Sequence, residues 1–140
     1  MRDRFLTVLL ACAAAASAVI IAGAPPAAAD CSPIACGQTL AGTLAVVGQT
    51  DCYMFDADAN ETVTITTRET AGVFQACWSL TGPGGSLGTT CGQAPRTLPL
   101  AGTYTVTVFD ANNDQTGAYD LNMVFVSDTA LNPRYCSSKR

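Results

Sequence analysis

The chain has 140 residues, a formal net charge of −4 and no histidine. Without histidine it lacks the general base of Ser-His-Asp and Cys-His catalysis and the imidazole ligand of His-zinc sites, so these classes of enzyme are excluded. An acidic surface repels the phosphate backbone, which disfavours nucleic acid as a partner.

The amino-terminal segment, residues 1–29, has the layout of a cleaved secretory signal peptide. Two arginines precede an apolar run, residues 5–24, and small residues ahead of Asp30 suit a signal peptidase. We expect cleavage before Asp30 and a single domain over residues 30–140, which is secreted to the extracellular space, the periplasm or the cell surface and has no membrane contact. An uncleaved anchor and a lipoprotein signal at Cys12 are the alternatives.

Beyond the signal peptide, every predicted element is a strand. No window after residue 30 has a helical period, whereas Thr, Val and Gly recur throughout. Turn signals recur at the spacing of a sandwich, among them Gly-Pro-Gly-Gly at residues 82–85. We predict an all-β, jelly-roll-like antiparallel β-sandwich of about eight strands, stabilised by disulfides. The predicted strands in chain order are residues 39–46, 52–57, 62–68, 74–81, 86–91, 96–100, 103–109 and 118–126.

Alternation of apolar and polar side chains predicts which face of each strand is buried. It is clearest in the last two strands, each of which starts with Gly-x-Tyr, and we predict that these two pair as a closing hairpin across residues 110–117. The Thr-rich alternate positions are expected to face solvent. The predicted inward side chains are Tyr53, Phe55, Val63, Ile65, Trp78, Leu80, Tyr104, Val106, Val108, Tyr119, Leu121, Met123 and Phe125.

Six cysteines remain after Cys12 leaves with the signal peptide. An even number in an exported chain predicts a disulfide framework, and the lack of histidine and of a Cys-x-x-Cys pair argues against a metal site. Cys77 and Cys91 are the predicted pair, because the Gly-Pro-Gly-Gly turn between them lays their flanks side by side. The sequence leaves open how the other four cysteines pair. One possible arrangement joins Cys31 and Cys36 to Cys52 and Cys136.

No catalytic residue is predicted. Paired carboxylates are the remaining ordinary option, and the local pairs are Asp56 with Asp58 and Asp110 with Asp114. Both pairs lie in turn-like segments, where aspartate also serves to close the backbone. We therefore favour turn formation over catalysis at both places.

Calcium is the one cofactor that the residues suggest. Asp110, Asn112 and Asp114 have the one, three, five spacing of oxygen ligands in a calcium loop. The loop is not an EF-hand, because Gln115 and Leu121 stand where that motif has glycine and glutamate. We predict a solvated loop and no bound cofactor here, with calcium as the alternative. A second candidate set of ligands is Asp56, Asp58 and Glu61.

Six segments follow one another along nearly the whole mature chain in a recognisable order: residues 36–44, 51–55, 60–65, 80–85, 100–106 and 116–121. They include Leu-Ala-Gly-Thr-Tyr-Thr-Val in the fifth segment and Thr-Gly-Ala-Tyr-Asp-Leu in the sixth. Their order and spacing resemble the bacterial pre-peptidase C-terminal domain, a secreted module found behind exported peptidases. Asn60 and Gly84 depart from the family, which usually has glycine and an acidic residue there. Asparagine can replace glycine because it tolerates the left-handed backbone region.

The resemblance implies a sandwich without catalytic activity that supports binding, secretion or folding of an enzyme. The family's calcium ligands lie in an acidic segment ahead of the first strand. In this chain the only acidic residue of that segment is Asp30. We expect a stand-alone, monomeric, secreted binding module for an extracellular protein or polysaccharide. The alternatives are a carboxylate-dependent glycosidase, which needs two carboxyl groups about 5 to 9 Å apart, and a structural or inhibitory partner of another exported protein that docks through a sheet edge.

Overall fold

A computed structural model describes residues 30–126 and Cys136, so the predicted signal peptide lies outside the described residues. Every regular element in the described part is a strand. Within that part there is no helix long and apolar enough to cross a membrane. The nine strands are β1 (Ser32–Pro33), β2 (Thr39–Leu44), β3 (Thr50–Ala57), β4 (Glu61–Gly72), β5 (Ala76–Gly82), β6 (Gly85–Cys91), β7 (Gln93–Leu98), β8 (Gly102–Asp110) and β9 (Gly117–Val126).

The strands form two sheets with one core between them. One sheet has the order β1-β3-β8-β5-β6 and the other has the order β2-β9-β4-β7. All neighbours are antiparallel except β1 and β3, which are parallel. The predicted all-β sandwich is confirmed, with nine strands in the described part rather than about eight.

The last two strands do not pair with each other, so the predicted closing hairpin is wrong. β8 lies between β3 and β5 in the first sheet, and β9 lies between β2 and β4 in the second. The connection between them, residues 111–116, therefore crosses from one sheet to the other. Alternation specifies which face of a strand is buried but not which strand lies beside it. Two strongly apolar strands can each occupy the centre of a sheet and face each other across the core.

The buried faces follow the alternation closely. Twelve of the thirteen predicted inward side chains are buried, which confirms that assignment of faces. The thirteenth, Phe125, is half-buried and packs edge to face against Phe55, with ring centroids 5.8 Å apart. The alternate threonines of the central strands are half-buried rather than fully exposed. Each inner face therefore has the apolar, period-2 pattern of a sandwich.

Strand bounds differ where the local signal is weak. β1 has only two residues, too few for any periodicity, and the sequence does not reveal it. β7 begins at Gln93 and includes Pro95, which lacks a backbone N–H. Proline is tolerated there because β7 is the outermost strand of its sheet among the described strands.

Three disulfides join residues that are 14, 21 and 100 positions apart in the sequence. Cys77 pairs with Cys91, which is its direct partner in the register of β5 and β6. The other two are Cys31–Cys52, between the start of β1 and β3, and Cys36–Cys136, which spans 100 residues of sequence. Cys77–Cys91 and Cys31–Cys52 both lie in the first sheet, and Cys36–Cys136 ties the connection between β1 and β2 to residue 136. Such a framework is expected of an exported domain.

Candidate functional site

Four connections between strands meet at one end of the sandwich, which we call the loop end. They are residues 45–49, 73–75, 92 and 111–116. In the second sheet, Leu44 and Gly72 both pair with Gly117, so the connections after β2 and β4 leave the sheet at the same level. The other connections among the described strands lie at the opposite end.

Exposed hydrophobic side chains are concentrated at the loop end. Val46, Val47 and Val73 are 64%, 61% and 85% exposed. The only other exposed large hydrophobic side chains in the described part, Leu100 and Val126, lie at the opposite end. The sequence did not predict the exposure of Val46, because the strand predicted over residues 39–46 includes this residue. In the structure β2 ends at Leu44.

The side chain of Gln49 holds the connection between β2 and β3 in place. Its Oε1 accepts hydrogen bonds from the backbone N–H groups of Ala45 (2.8 Å) and Val46 (3.3 Å). Its Nε2 donates to the backbone oxygen of Thr43 (2.9 Å) and to Oδ1 of Asp51 (2.8 Å). One primary amide offers two N–H donors and two acceptor positions, so Gln49 uses all of them. The connection is therefore fixed although it is exposed.

Asp51 links this connection to two buried tyrosines. The Tyr119 hydroxyl donates to Oδ2 of Asp51 at 2.6 Å, and the Tyr53 and Tyr119 hydroxyls lie 2.8 Å apart. Because Tyr119 has one hydroxyl hydrogen and gives it to Asp51, Tyr53 must be the donor to Tyr119. A directed chain of hydrogen bonds thus runs from Tyr53 through Tyr119 and Asp51 to Gln49.

Neither Tyr53 nor Tyr119 has a pKa suited to proton transfer at neutral pH. Burial, reinforced by the hydrogen bonds with Asp51 and Tyr53, raises the pKa of Tyr119 far above its usual value of 10.0. Burial likewise raises the pKa of Tyr53. Both phenols stay protonated at neutral pH, so the chain of hydrogen bonds has a structural role.

Asp110, a predicted calcium ligand and a member of one carboxylate pair, closes the connection between β8 and β9. It is 3% exposed. Its Oδ1 accepts from the backbone N–H of Gln75 at 3.1 Å, and its Oδ2 accepts from those of Asp114 and Gln115 at 3.1 and 3.2 Å. Burial alone would raise the pKa of Asp110, but the backbone donors outweigh it and hold the pKa below its usual value. A glycosidase acid needs the opposite shift, so this carboxyl group is not tuned for that role.

The other candidate calcium ligands are exposed, except Glu61, which is half-buried. Asn112 and Asp114 are exposed in the same connection as Asp110. In the second set, Oδ1 of Asp56 accepts a hydrogen bond from the Thr103 hydroxyl at 2.7 Å, while Glu61 accepts one from the backbone N–H of Asp58 at 2.7 Å. Across the described residues, no group of three or more Asp, Glu, Cys or His side chains is placed to hold a metal ion. The absence of a bound cofactor, with calcium as the alternative, stays a prediction.

Aromatic side chains in the described part of the chain are all buried or half-buried. Trp78, the single tryptophan, is fully buried. A carbohydrate site that works by stacking needs ring faces at the surface. Residues 30–126 present no such platform.

Arg96 lies at the side of the sandwich where β6 and β7 are the outermost strands of their sheets. Its Nε donates to the backbone oxygen of Leu87 at 3.2 Å, and Nη2 donates to the Thr90 hydroxyl. Its Nη1 donates to the backbone oxygen of Pro95 at 2.8 Å. The guanidinium also lies 5.1 Å from the ring centroid of Trp78, a cation–π distance. These contacts join the two outer strands to each other, so this edge is less available to a partner strand.

Sequence reasoning missed the residues that organise the loop end. Tyr53 and Tyr119 were predicted only as core side chains, and a buried tyrosine does signal that its hydroxyl needs a partner. Gln49 and Asp51 carry no such signal, because a polar residue next to a turn usually faces solvent.

Comparisons with known proteins identify the fold. No protein-family model matches the chain, and no curated protein matches it. The pre-peptidase C-terminal domain of a collagenase from Bacillus anthracis is similar in structure, with a TM-score of 0.55, 18% identity, and coverage of 67% of this chain and 94% of that chain. At this identity the similarity supports the fold that the resemblance implied, and no more.

Two inhibitors have a similar fold. PliG from Aeromonas hydrophila, a periplasmic lysozyme inhibitor of g-type lysozyme, has a TM-score of 0.52 and 20% identity over 66% of this chain and 94% of that chain. PliG from Salmonella Typhimurium, also a periplasmic lysozyme inhibitor of g-type lysozyme, has a TM-score of 0.52 and 20% identity over 67% of this chain and 97% of that chain. At these identities the similarity shows the fold alone.

Proposed function

We propose that this chain is an exported, non-catalytic β-sandwich that binds another exported protein. The observation that carries the proposal is the surface of the described residues: its exposed hydrophobic side chains are aliphatic and concentrated at the loop end, where hydrogen bonds hold the backbone. Rigid apolar groups at the surface favour a protein partner, because they can be buried without a large loss of conformational freedom.

Export is supported by the three disulfides, which persist in oxidising compartments. The predicted signal peptide agrees with this, and the PliG proteins of similar fold are periplasmic. We expect the protein outside the cytoplasm, either in the periplasm or beyond the cell.

A polysaccharide is the weaker candidate for the ligand. Sugar rings stack on exposed aromatic faces, and the aromatic side chains of residues 30–126 are withdrawn from the surface. A glycosidase is weaker still, because the buried carboxyl group, Asp110, is held in its charged form by backbone N–H groups.

An inhibitory role is the narrower form of the proposal. Two proteins of similar fold are inhibitors of g-type lysozyme, and each is matched over nearly its whole length. A g-type lysozyme is therefore the first defined protein to test as a partner. Proteins exported by the producing cell are the second.

The test uses the exported, oxidised protein, immobilised in one orientation. Purified g-type lysozyme, the exported proteins of the producer, and insoluble peptidoglycan, cellulose and chitin are applied separately. We expect saturable binding to a protein and none to the polysaccharides. Lysis of bacterial cell walls by the lysozyme, with and without the protein, measures inhibition directly. Binding to a polysaccharide alone would contradict the proposal.

A further inference from the structure

We propose that the loop end is the docking face and that the tip of the connection between β2 and β3 enters an apolar recess within a cationic surface of the partner. This inference rests on the proposed function, and it names the site and the chemistry of the protein that is bound.

The geometry gives the loop end a compact apolar tip. Val46 and Val47 are adjacent in the connection after β2, and Val73 directly follows the end of β4. Only β9 separates β2 from β4, so the points where these connections leave the sheet lie about 10 Å apart, two strand spacings. Val46 and Val47, each more than half exposed, form the tip, and Val73 lies beyond the polar connection of residues 111–116, which enters β9 between β2 and β4. A recess of a few side chains could cover Val46 and Val47 together.

The tip is organised before any partner arrives. Gln49 fixes the backbone of Ala45 and Val46, and its own amide is held by Asp51. Asp51 is held in turn by the buried Tyr119. At Gly48, φ is +78° and nothing lies within 4 Å of the position of a Cβ atom, so the outside of the turn is open. Little conformational entropy is therefore lost in this segment when a partner binds.

The charge of the loop end indicates that the partner has a basic surface. Residues 30–126 contain nine acidic side chains and two arginines, and Arg96 is committed to joining β6 and β7. Carboxylates at the loop end come from Asp51, Glu69 and Asp114, together with the buried Asp110. Among residues 30–126 the one exposed cation is Arg68, and Asp120 lies directly opposite it in the register of β4 and β9. An acidic rim around an apolar tip is complementary to a basic rim around a recess. A second copy of this chain has the same acidic rim and would be repelled.

The decisive experiment compares variants at the two ends of the sandwich. The double variant V46S/V47S removes apolar surface from the tip, and L100S removes similar surface at the opposite end, where Leu100 is 47% exposed. The probes are purified g-type lysozyme and the producer's exported proteins, which are separated into basic and acidic fractions by ion exchange. Each captured protein is identified, purified and titrated against all three forms.

We expect the wild type to bind a basic protein and V46S/V47S to bind it at least about tenfold more weakly, since central apolar anchors carry most of the binding energy. L100S should bind within about twofold of the wild type. Association of the wild type should slow as salt is raised, as it does for electrostatically steered pairs. Both variants should melt within about 2 °C of the wild type, because exposed substitutions change stability little.

Each contrary result is specific. If the wild type binds a protein and V46S/V47S binds it equally well, the docking face is overturned while the proposed function stands. A captured protein that is acidic, or a dimer of this chain that V46S/V47S dissociates, overturns the cationic partner. If the wild type binds neither lysozyme nor any exported protein, the proposed function fails and the docking face fails with it.

Discussion

Replacing Tyr119 with phenylalanine tests the chain of hydrogen bonds under the loop end. The change removes one oxygen atom that donates to Asp51 and accepts from Tyr53. Asp51 loses a charge-assisted hydrogen bond, worth roughly 1.5 to 3 kcal/mol, and solvent recovers part of this because Asp51 is only half-buried. The Tyr53 hydroxyl loses its acceptor, at a cost of roughly 1 to 3 kcal/mol. We expect Tyr119→Phe to destabilise the protein by about 3 kcal/mol.

The direction of the hydrogen bonds also predicts that the stability losses of Tyr53→Phe and Tyr119→Phe are not additive. Tyr53→Phe removes only the terminal donor and should cost about 1 kcal/mol, because Tyr119 still donates to Asp51. In the double variant no Tyr53 hydroxyl is left without an acceptor. Its cost should therefore be about 2 kcal/mol, less than that of Tyr119→Phe alone and about half the sum of the single changes.

Urea denaturation with the disulfides intact measures these free energies by linear extrapolation. The fluorescence of Trp78 reports the transition, because it is the only tryptophan and is fully buried. At about 4 °C per kcal/mol for a domain of this size, Tyr119→Phe should also lower Tm by about 12 °C. If the two single changes add within about 0.5 kcal/mol, or if Tyr53→Phe is the costlier one, the directed chain is refuted.

Four further outcomes are expected. Reduction of the disulfides should lower Tm by about 20 °C or more, because Cys36–Cys136 alone closes a loop of about 100 residues; an unchanged transition would reject the disulfide framework. Replacing Arg96 by methionine should cost about 2 kcal/mol in urea denaturation, and lysine should restore less than half of it, because an ammonium group lacks the planar fork of donors; full rescue by lysine would contradict this. Stability should be constant through neutral pH and fall above about pH 10. Above that pH the Tyr119 hydroxyl ionises in the unfolded chain but keeps its proton in the folded protein, so the unfolded state is favoured. A Tyr119→Phe variant with the same alkaline loss of stability would exclude this cause. Calcium added to the chelated protein should leave Tm unchanged, because both oxygens of Asp110 already accept backbone hydrogen bonds; a rise that Asp110→Asn removes would overturn that expectation.

The faces of the strands were predictable because alternation is a local consequence of the pleat. Val106 and Val108 are buried and Thr105 and Thr107 are not, as the period of two requires. Asn60 was equally predictable: its φ of +66° confirms that it occupies the left-handed region, which asparagine tolerates in place of glycine. Each of these predictions depends on the chemistry of neighbouring residues in the chain.

The pairing of the last two strands was not accessible in the same way. A six-residue connection suits a hairpin and a crossing between sheets equally well, and both bury the same faces of β8 and β9. The crossing is decided by contacts that are remote in sequence. Gly117 packs against the ring of Phe74, where a Cβ atom would come within 2.2 Å of the ring, and Asp110 binds the backbone of Gln75. Both contacts draw the connection toward the start of β5, away from a tight turn.

The loop end lay beyond sequence reasoning for a further reason. Burial can be inferred from a strand pattern, but exposure of a valine beside a turn depends on where the strand stops, and β2 stops two residues before Val46. Gln49 determines the course of the chain there, through bonds to residues on both sides of the turn. A Gln49→Leu change should therefore weaken binding by freeing the tip, while the valines themselves remain. If binding survives that change but not V46S/V47S, the apolar surface matters and its organisation does not.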